Sequence, residues 1–354
     1  MTNPYSYQQY IGGTDADDID RAFYSIVNSL ITNDAQFLFG AGMSKESEVP
    51  IGYELAVELL NIFFPGTGTN PPTPQRLGEL ASEFPFEAIT EALERNLGNT
   101  RDDLTEELTK ILIEPQFQIS QAHKDFLSIC YWWGTQIPNQ IFTTNFDKLL
   151  EKSIGLQKAL TIEEDNAHGI KKAQQKGLLP VIHLHGILDG KYQVTETDVY
   201  DTRFSALFNE FESALYNCKA FVFVGYSMMD PDLRRIYMEY REGWKLRKAN
   251  SDKKTYFISP PKDEFSYRLG KKIHENRGSE WIPLSAAEFF ARLKDLMDTH
   301  TETEARKMIM NKYHTKDENA IEDLIEAARK TIGGTRRDGI MLLLQTRAPM
   351  GVAK

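Results

Sequence analysis

Four apolar runs in this chain each end on a glycine-rich or polar turn. They are residues 36–39 before Gly40-Ala41-Gly42-Met43-Ser44, residues 140–143 before Thr144-Asn145-Phe146-Asp147, residues 181–184 before His185-Gly186, and residues 220–224 before Gly225-Tyr226-Ser227. Short runs without alternation suit strands covered on both faces. Helix-length stretches separate them, which favours a doubly wound, mostly parallel, Rossmann-like α/β sheet. In such a sheet the loops at the carboxyl ends of the strands open on one crevice, where ligands bind. The spacing therefore predicts one site assembled from four turns.

Further strands are predicted at 255–258 and 281–284, and a first amphipathic helix over 16–33. A second helix runs through 53–64, and residues 65–74, with four prolines and two glycines, break the chain. Candidate helices at 86–97, 102–113 and 120–133 have no strand between them, so about 65–135 reads as a helical insertion between the first two strands. Residues 1–287 form the predicted catalytic domain, and 288–354 a C-terminal helical segment. In its tail, the apolar run 340–344 would be awkward in water and should pack on the body or on another subunit.

The net charge of −10 does not favour a polyanionic partner, so direct nucleic-acid binding is not expected. Arg234, Arg235, Lys245, Arg247 and Lys248 read as a solvated helix face or a local basic patch. The N-terminal residues do not read as a signal peptide, and no apolar run is long enough to span a bilayer. Only two cysteines occur, Cys130 and Cys218, both in apolar surroundings. Two thiols make neither a four-thiolate zinc site nor a disulfide framework, which fits a cytoplasmic protein.

Each turn has its own chemistry. Gly40, Ala41 and Gly42 put bare backbone amides before Ser44, suited to a nucleotide phosphate. The dinucleotide fingerprint of dehydrogenases is broken, because Lys45 stands where a third glycine belongs. Asn145 could hold a sugar hydroxyl or a water. Asp147 is either a ligand contact or a plain helix cap. His183 and His185 share a strand face; His183 reads as a buried, satisfied imidazole, and His185 at the strand exit as a general base. No third ligand joins them, so no metal is expected. Ser227 either bonds a phosphate or is a turn residue. Asp230 and Pro231 read as the N-cap and first position of a helix.

Together the four segments resemble the sirtuin family, whose NAD-binding domain carries Gly-Ala-Gly-x-Ser, Thr-Gln-Asn-x-Asp, His-Gly and Gly-x-Ser. The resemblance covers residues 30–285 apart from the insertion, and includes Val49-Pro50 after the first motif. It implies that Gly40, Ala41, Gly42, Ser44, Thr143, Gly225 and Ser227 line NAD, that Asp147 holds the nicotinamide carboxamide, and that Asn145 and His185 are catalytic. Three departures stand out. The paired Cys-x-x-Cys motifs between His-Gly and Gly-x-Ser are missing, so no zinc is expected. Ile51-Gly52-Tyr53 replaces the usual Phe-Arg, and Thr144 replaces Gln. The pattern is similar to that of the zinc-free sirtuin-like domains of bacterial anti-phage systems. That implies an NAD hydrolase releasing nicotinamide and ADP-ribose; because such an activity unrestrained would kill its host, control by a homo-oligomer or a separate sensor protein is expected. A zinc-free deacylase or ADP-ribosyltransferase, and a non-catalytic NAD or ADP-ribose binder, are the alternatives.

Overall fold

A computed structural model describes residues 13–63, 72–96, 100–113, 117–130, 138–163, 168–198, 205–228, 230–247, 253–333, 339–340 and 342–343. Within them lies one seven-stranded sheet in which every pairing is parallel. Its strands are β1 (Ala35–Phe39), β2 (Ile141–Thr143), β3 (Ala159–Ile162), β4 (Leu179–His183), β5 (Ala220–Val224), β6 (Lys254–Ile258) and β7 (Glu280–Ile282), in spatial order β3-β4-β2-β1-β5-β6-β7. The chain runs from β1 to β2, on to the edge strand β3 and back to β4, then crosses to β5 on the other side of β1. That reversal sets the switch point at the sheet centre, where an open α/β sheet forms its crevice.

The doubly wound expectation holds, with one strand that the sequence reading missed. Ala159-Leu160-Thr161-Ile162 is only four residues long and lies at the sheet edge, with two of its four side chains half-buried. Such a segment carries too little periodicity to stand out. β7 ends at Ile282 because Pro283 cannot donate to a ladder.

Side-chain alternation sorts the core into two layers. Phe37 and Phe39 face one side, with Phe23 of α1 (Gly13–Ile31), Phe126 of α6 (Gln121–Cys130) and Phe289 and Phe290 of α12 (Ala286–Lys312). The rings of Phe39 and Phe126 meet edge-on at 4.8 Å. Leu38, Phe142, Phe221 and Phe223 face the other side, covered by α9 (Ala206–Asn217) and α10 (Pro231–Arg247). Each such ring contributes roughly 1.5–3 kcal/mol by leaving water.

The remaining helices between β1 and β2 form a third cluster. They are α2 (Gly52–Phe63), α3 (Pro74–Glu83), α4 (Phe86–Asn96) and α5 (Arg101–Leu112). Their leucines pack with Val49, Leu149, Leu188 and Val194, which follow β1, β2 and β4. The inserted helices thus sit over the carboxyl edge of the sheet rather than beside it. Helices α7 (Leu149–Ile154), α8 (Gly169–Gln175) and α11 (Glu264–Arg277) complete the wrapping. At the C-terminal end, Ile340 and Leu343 are buried against Ile309 of α12 and Ile321 and Ile325 of α13 (Glu318–Ile332), so this part of the tail packs on the C-terminal helices themselves. Among the described residues no helix is long and apolar enough to cross a membrane.

Candidate active site

The first and fourth turns close against each other at the switch point. Gly42 N donates to Gly225 O at 2.9 Å, and Gly40 N to Val224 O at 2.9 Å. A Cβ on Gly42 would stand 2.7 Å from the Gly225 Cα, and Gly225 itself has φ +63°. Only glycines allow this approach. The expected row of bare amides is not what the turn presents. Met43 N donates to Gly40 O and Ser44 N to Ala41 O, so both are engaged within a 3₁₀ turn. Ala41 is half-buried at the turn and Ser227 is exposed at the rim of the fourth.

Ser44, Asn145 and Asp147 form one buried chain. The Asn145 Nδ2 donates to Ser44 Oγ at 3.1 Å, and Ser44 Oγ donates to Asp147 Oδ2 at 2.9 Å. Asp147 Oδ1 accepts from Leu149 N at 3.0 Å, so the carboxylate also starts α7. Burial pushes the Asp147 carboxyl above its ordinary range, against the Leu149 amide, the Ser44 hydroxyl and the His183 charge. Thr143 braces the base of this loop: its hydroxyl donates to Phe39 O at 3.1 Å and accepts from Asn145 N at 3.0 Å. Asn145 Oδ1 is buried and has no hydrogen-bond partner among the described residues. A lone buried amide oxygen costs on the order of 1–3 kcal/mol unless something donates to it.

His183 is the satisfied core histidine that its position suggested. Its Nδ1 donates to Asn145 O at 2.9 Å, and its Nε2 lies 2.8 Å from Glu151 Oε1. Burial alone would lower the imidazole; the Glu151 charge and hydrogen bond outweigh it and raise it. Burial likewise disfavours ionised Glu151, yet His183 holds that carboxyl below its ordinary range. The two form a buried ion pair under the Asn145 loop.

His185 lies beyond the end of β4, in a loop closed by Gly186. There φ is +75°, and a Cβ would stand 1.8 Å from Lys191 O. Its Nε2 lies 2.6 Å from Asp230 Oδ2, and both side chains are nearly buried. β4 and β5 are separated by β2 and β1, so their ends are about 14 Å apart at the usual strand spacing. The two loops therefore lean inward and meet across the exits of β2 and β1, which carry Asn145 and Ser44. The structure thus brings Ser44, Thr143, Asn145 and Asp147 into one network, Gly40, Gly42 and Gly225 into one contact, and His185 into a bridge to Asp230.

Three members of this region escaped the sequence reading. Asp230 was explained by its capping bond, which Leu233 N donates to Oδ1 at 2.9 Å, but that uses one of two carboxylate oxygens. Glu151 lies within α7 and turns to His183 and Thr161. Glu87 comes from α4, far away in sequence. Burial raises its carboxyl, with Asp230 and Glu196 adding to the rise and His185 opposing it. Tyr226 OH is also buried without a partner among the described residues, and burial together with Asp230 and Glu87 holds the phenol well above its ordinary range.

The insertion is tied firmly to the loop that follows His185. Arg101 pairs with Glu94 at 2.9 Å and Asp198 at 2.8 Å, donates to Tyr192 O at 3.0 Å, and stacks over the Tyr192 ring. Thr90 donates to Val194 O. A cavity of about 420 Å³ opens here, lined by Arg101, His183, Gly186, Tyr192, Asp198 and Leu207 among others. A separate cavity of about 380 Å³ lies between α1, α11 and β7, lined by Lys254, His274, Glu280 and Pro283 among others.

The paired Cys-x-x-Cys motifs of the sirtuin pattern are missing from this sequence. Between Gly186 and Gly225 only Cys218 is available, and it is buried next to α9. Among the described residues no cluster of histidine, cysteine and acidic side chains could hold a metal ion.

Residues 139–282 match the family model described as the SIR2-like domain. No curated protein matches the chain. Similar solved structures include a Sir2 enzyme described for its mechanism and regulation, with 14% identity over 81% of this chain and 99% of the other, at a TM-score of 0.44. A Sir2 homologue bound to NAD is 13% identical over 79% of this chain and 94% of its own, at a TM-score of 0.43. A Sir2 homologue mutant bound to ADP-ribose is 13% identical over 80% and 98%, also at 0.43.

Proposed function

On the premise that residues 139–282 form a SIR2-like domain and hence part of an NAD-using enzyme, we propose that this protein hydrolyses the bond between nicotinamide and ribose in NAD. The observation that carries the reading is Asn145. Its side chain is fixed by Ser44, only 8% of the residue is exposed, and its Oδ1 waits for a donor. A ribose hydroxyl or a water supplies that donor.

The pyridinium ring is a cationic leaving group, so its departure needs no strong acid. As the C1′–N bond breaks, its electron pair returns to the ring nitrogen and C1′ becomes oxocarbenium-like. Asn145 holds the water, whose oxygen bonds to C1′ while its proton passes to His185. Asp147, buried and fixed at both oxygens, orients the carboxamide of the leaving group. The glycine contact between the first and fourth turns lets the dinucleotide backbone approach closely, with Ser227 at its rim. Positioning and electrostatics supply most of the rate.

Nicotinamide release from NAD by the pure protein tests the reading. Asn145→Ala and His185→Ala should each slow it by about 10²–10⁴-fold, the range for loss of a general base or a positioned water. Wild-type turnover in either variant would remove the assignment. Formation of acyl-ADP-ribose from an acylated peptide would instead make the protein a deacylase.

An NAD hydrolase without restraint starves its host, which supports an anti-phage role under control of a homo-oligomer or a sensor protein, in the cytoplasm where NAD is abundant. Mass measurement at activity-assay concentrations, with and without candidate partners, tests this. A fully active isolated monomer would count against it.

A further inference from the structure

We propose that Asp230 is the positioning carboxylate of His185: it fixes the ring so that Nε2 carries the proton and Nδ1 is the base. The inference rests on the hydrolase reading for its kinetic consequence, but not for the pairing itself.

The geometry begins at the helix. Asp230 sits before Pro231, the first residue of α10, where its Oδ1 accepts from Leu233 N at 2.9 Å. This capping bond fixes the side chain, and its second oxygen, Oδ2, lies 2.6 Å from His185 Nε2. The two residues are 7% exposed each, so water screens the pair little. The contact is one of charge rather than an aligned hydrogen bond, and a carboxylate that close favours a proton on the facing nitrogen and stabilises the imidazolium that forms when the other nitrogen accepts one. Asp230 comes from the loop after β5 and His185 from the loop after β4, so no local constraint forces them together. Their contact is made by tertiary structure alone.

Other groups face this pair. Glu87 from α4 and Glu196 lie within electrostatic reach, as does Arg234, one turn along α10, which acts on the neighbouring Tyr226 phenol. Burial raises the Glu87 carboxyl, and it is Asp230 whose oxygen lies 2.6 Å from the ring nitrogen.

Asp230→Asn separates positioning from capping, because asparagine caps a helix as well as aspartate does. Asp230→Ser, also a good cap, guards against loss of fold. Two readouts apply. Imidazole NMR titration of His185 should show its pKa fall in both variants, since the ring loses its anionic neighbour. Nicotinamide release should drop about 10–100-fold in kcat with KM for NAD little changed, and the acid limb of the pH profile should move to lower pH. Placed in a His185→Ala background, Asp230→Asn should add almost no further loss. An unmoved His185 titration and pH limb would reduce Asp230 to a helix cap. Faster turnover in Asp230→Asn would mean that the pair is a latch across the crevice, and would overturn the proposal too. If the wild type releases no nicotinamide, the hydrolase reading falls, and the NMR titration still decides the pairing.

Discussion

His183 reaches from the end of β4 to the loop after β2, where its Nδ1 donates to the main-chain oxygen of Asn145 at 2.9 Å. The same ring is paired with Glu151 on its other side. The shape of the Asn145 loop thus depends on a buried ion pair that itself touches no proposed substrate group.

This pair should give stability a pH window. His183 is raised, so its contribution is complete below the ordinary imidazole value of 6.5 and is lost as pH climbs through the folded value. Glu151 is lowered, so its contribution is complete above 4.5 and is lost as pH falls through the folded value. Melting curves of the wild type and a His183→Gln/Glu151→Gln double variant should differ most between those limits. Glu151→Gln alone, which strands a buried imidazolium, should cost about 3–5 kcal/mol near pH 5.5. Parallel curves for wild type and double variant across the range would contradict the pairing.

Asp147→Asn should separate stability from function. Burial raises the Asp147 carboxyl, so ionising it costs stability as pH rises past 3.8. Asparagine keeps an oxygen for Leu149 N and removes the charge. At neutral pH the variant should gain about 1 kcal/mol in denaturant titration while nicotinamide release drops. A destabilised variant would mean that the carboxylate is favourable where it lies.

Gly186→Ala should be far worse than Gly177→Ala. Both glycines have positive φ, +75° and +68°, but only the first has Lys191 O in the way of a Cβ; nothing lies within 4 Å of the second. Gly177→Ala should cost about 1 kcal/mol for its backbone conformation. Gly186→Ala should cost more than about 3 kcal/mol or displace the loop that carries His185. Equal melting temperatures for the two variants would refute this account of the His-Gly turn.

Arg101→Ala should loosen the inserted helices from the site. The side chain is about one-third exposed and bonds two carboxylates and a backbone carbonyl, so the loss should be about 1–3 kcal/mol. Hydrogen exchange should speed up at residues 192–198 before it does in the sheet. Unchanged protection there would show that the insertion is held by its leucines alone.

The two thiols should stay silent in the native protein. Cys130 is fully buried, and burial pushes the Cys218 thiol up to about 12. An aromatic disulfide reagent should titrate both only after denaturant is added.

The sheet and its turns were legible because their signals are local. Apolar runs such as 220–224 and glycines before polar residues act over a few positions. From these the doubly wound class, six of the seven strands and the positions of Asn145, Asp147 and His185 at strand exits could be read. The four-residue β3 could not, since an edge strand of that length has no distinct period.

What tertiary structure alone decided is who meets whom. Asp230 caps a helix in any linear reading, and its second oxygen finds His185 only because two loops lean across two intervening strands. The amides of Gly40 and Gly42 look open in the sequence but bond across to Val224 and Gly225 at the exit of β5. Glu87 reaches the pair from an insertion whose docking over the strand ends depends on leucines scattered from position 55 to 188. Local preference sets the elements through short-range backbone sterics and periodicity. The distant pairs are set by burial, which acts through the whole packed core and leaves no mark at any single position.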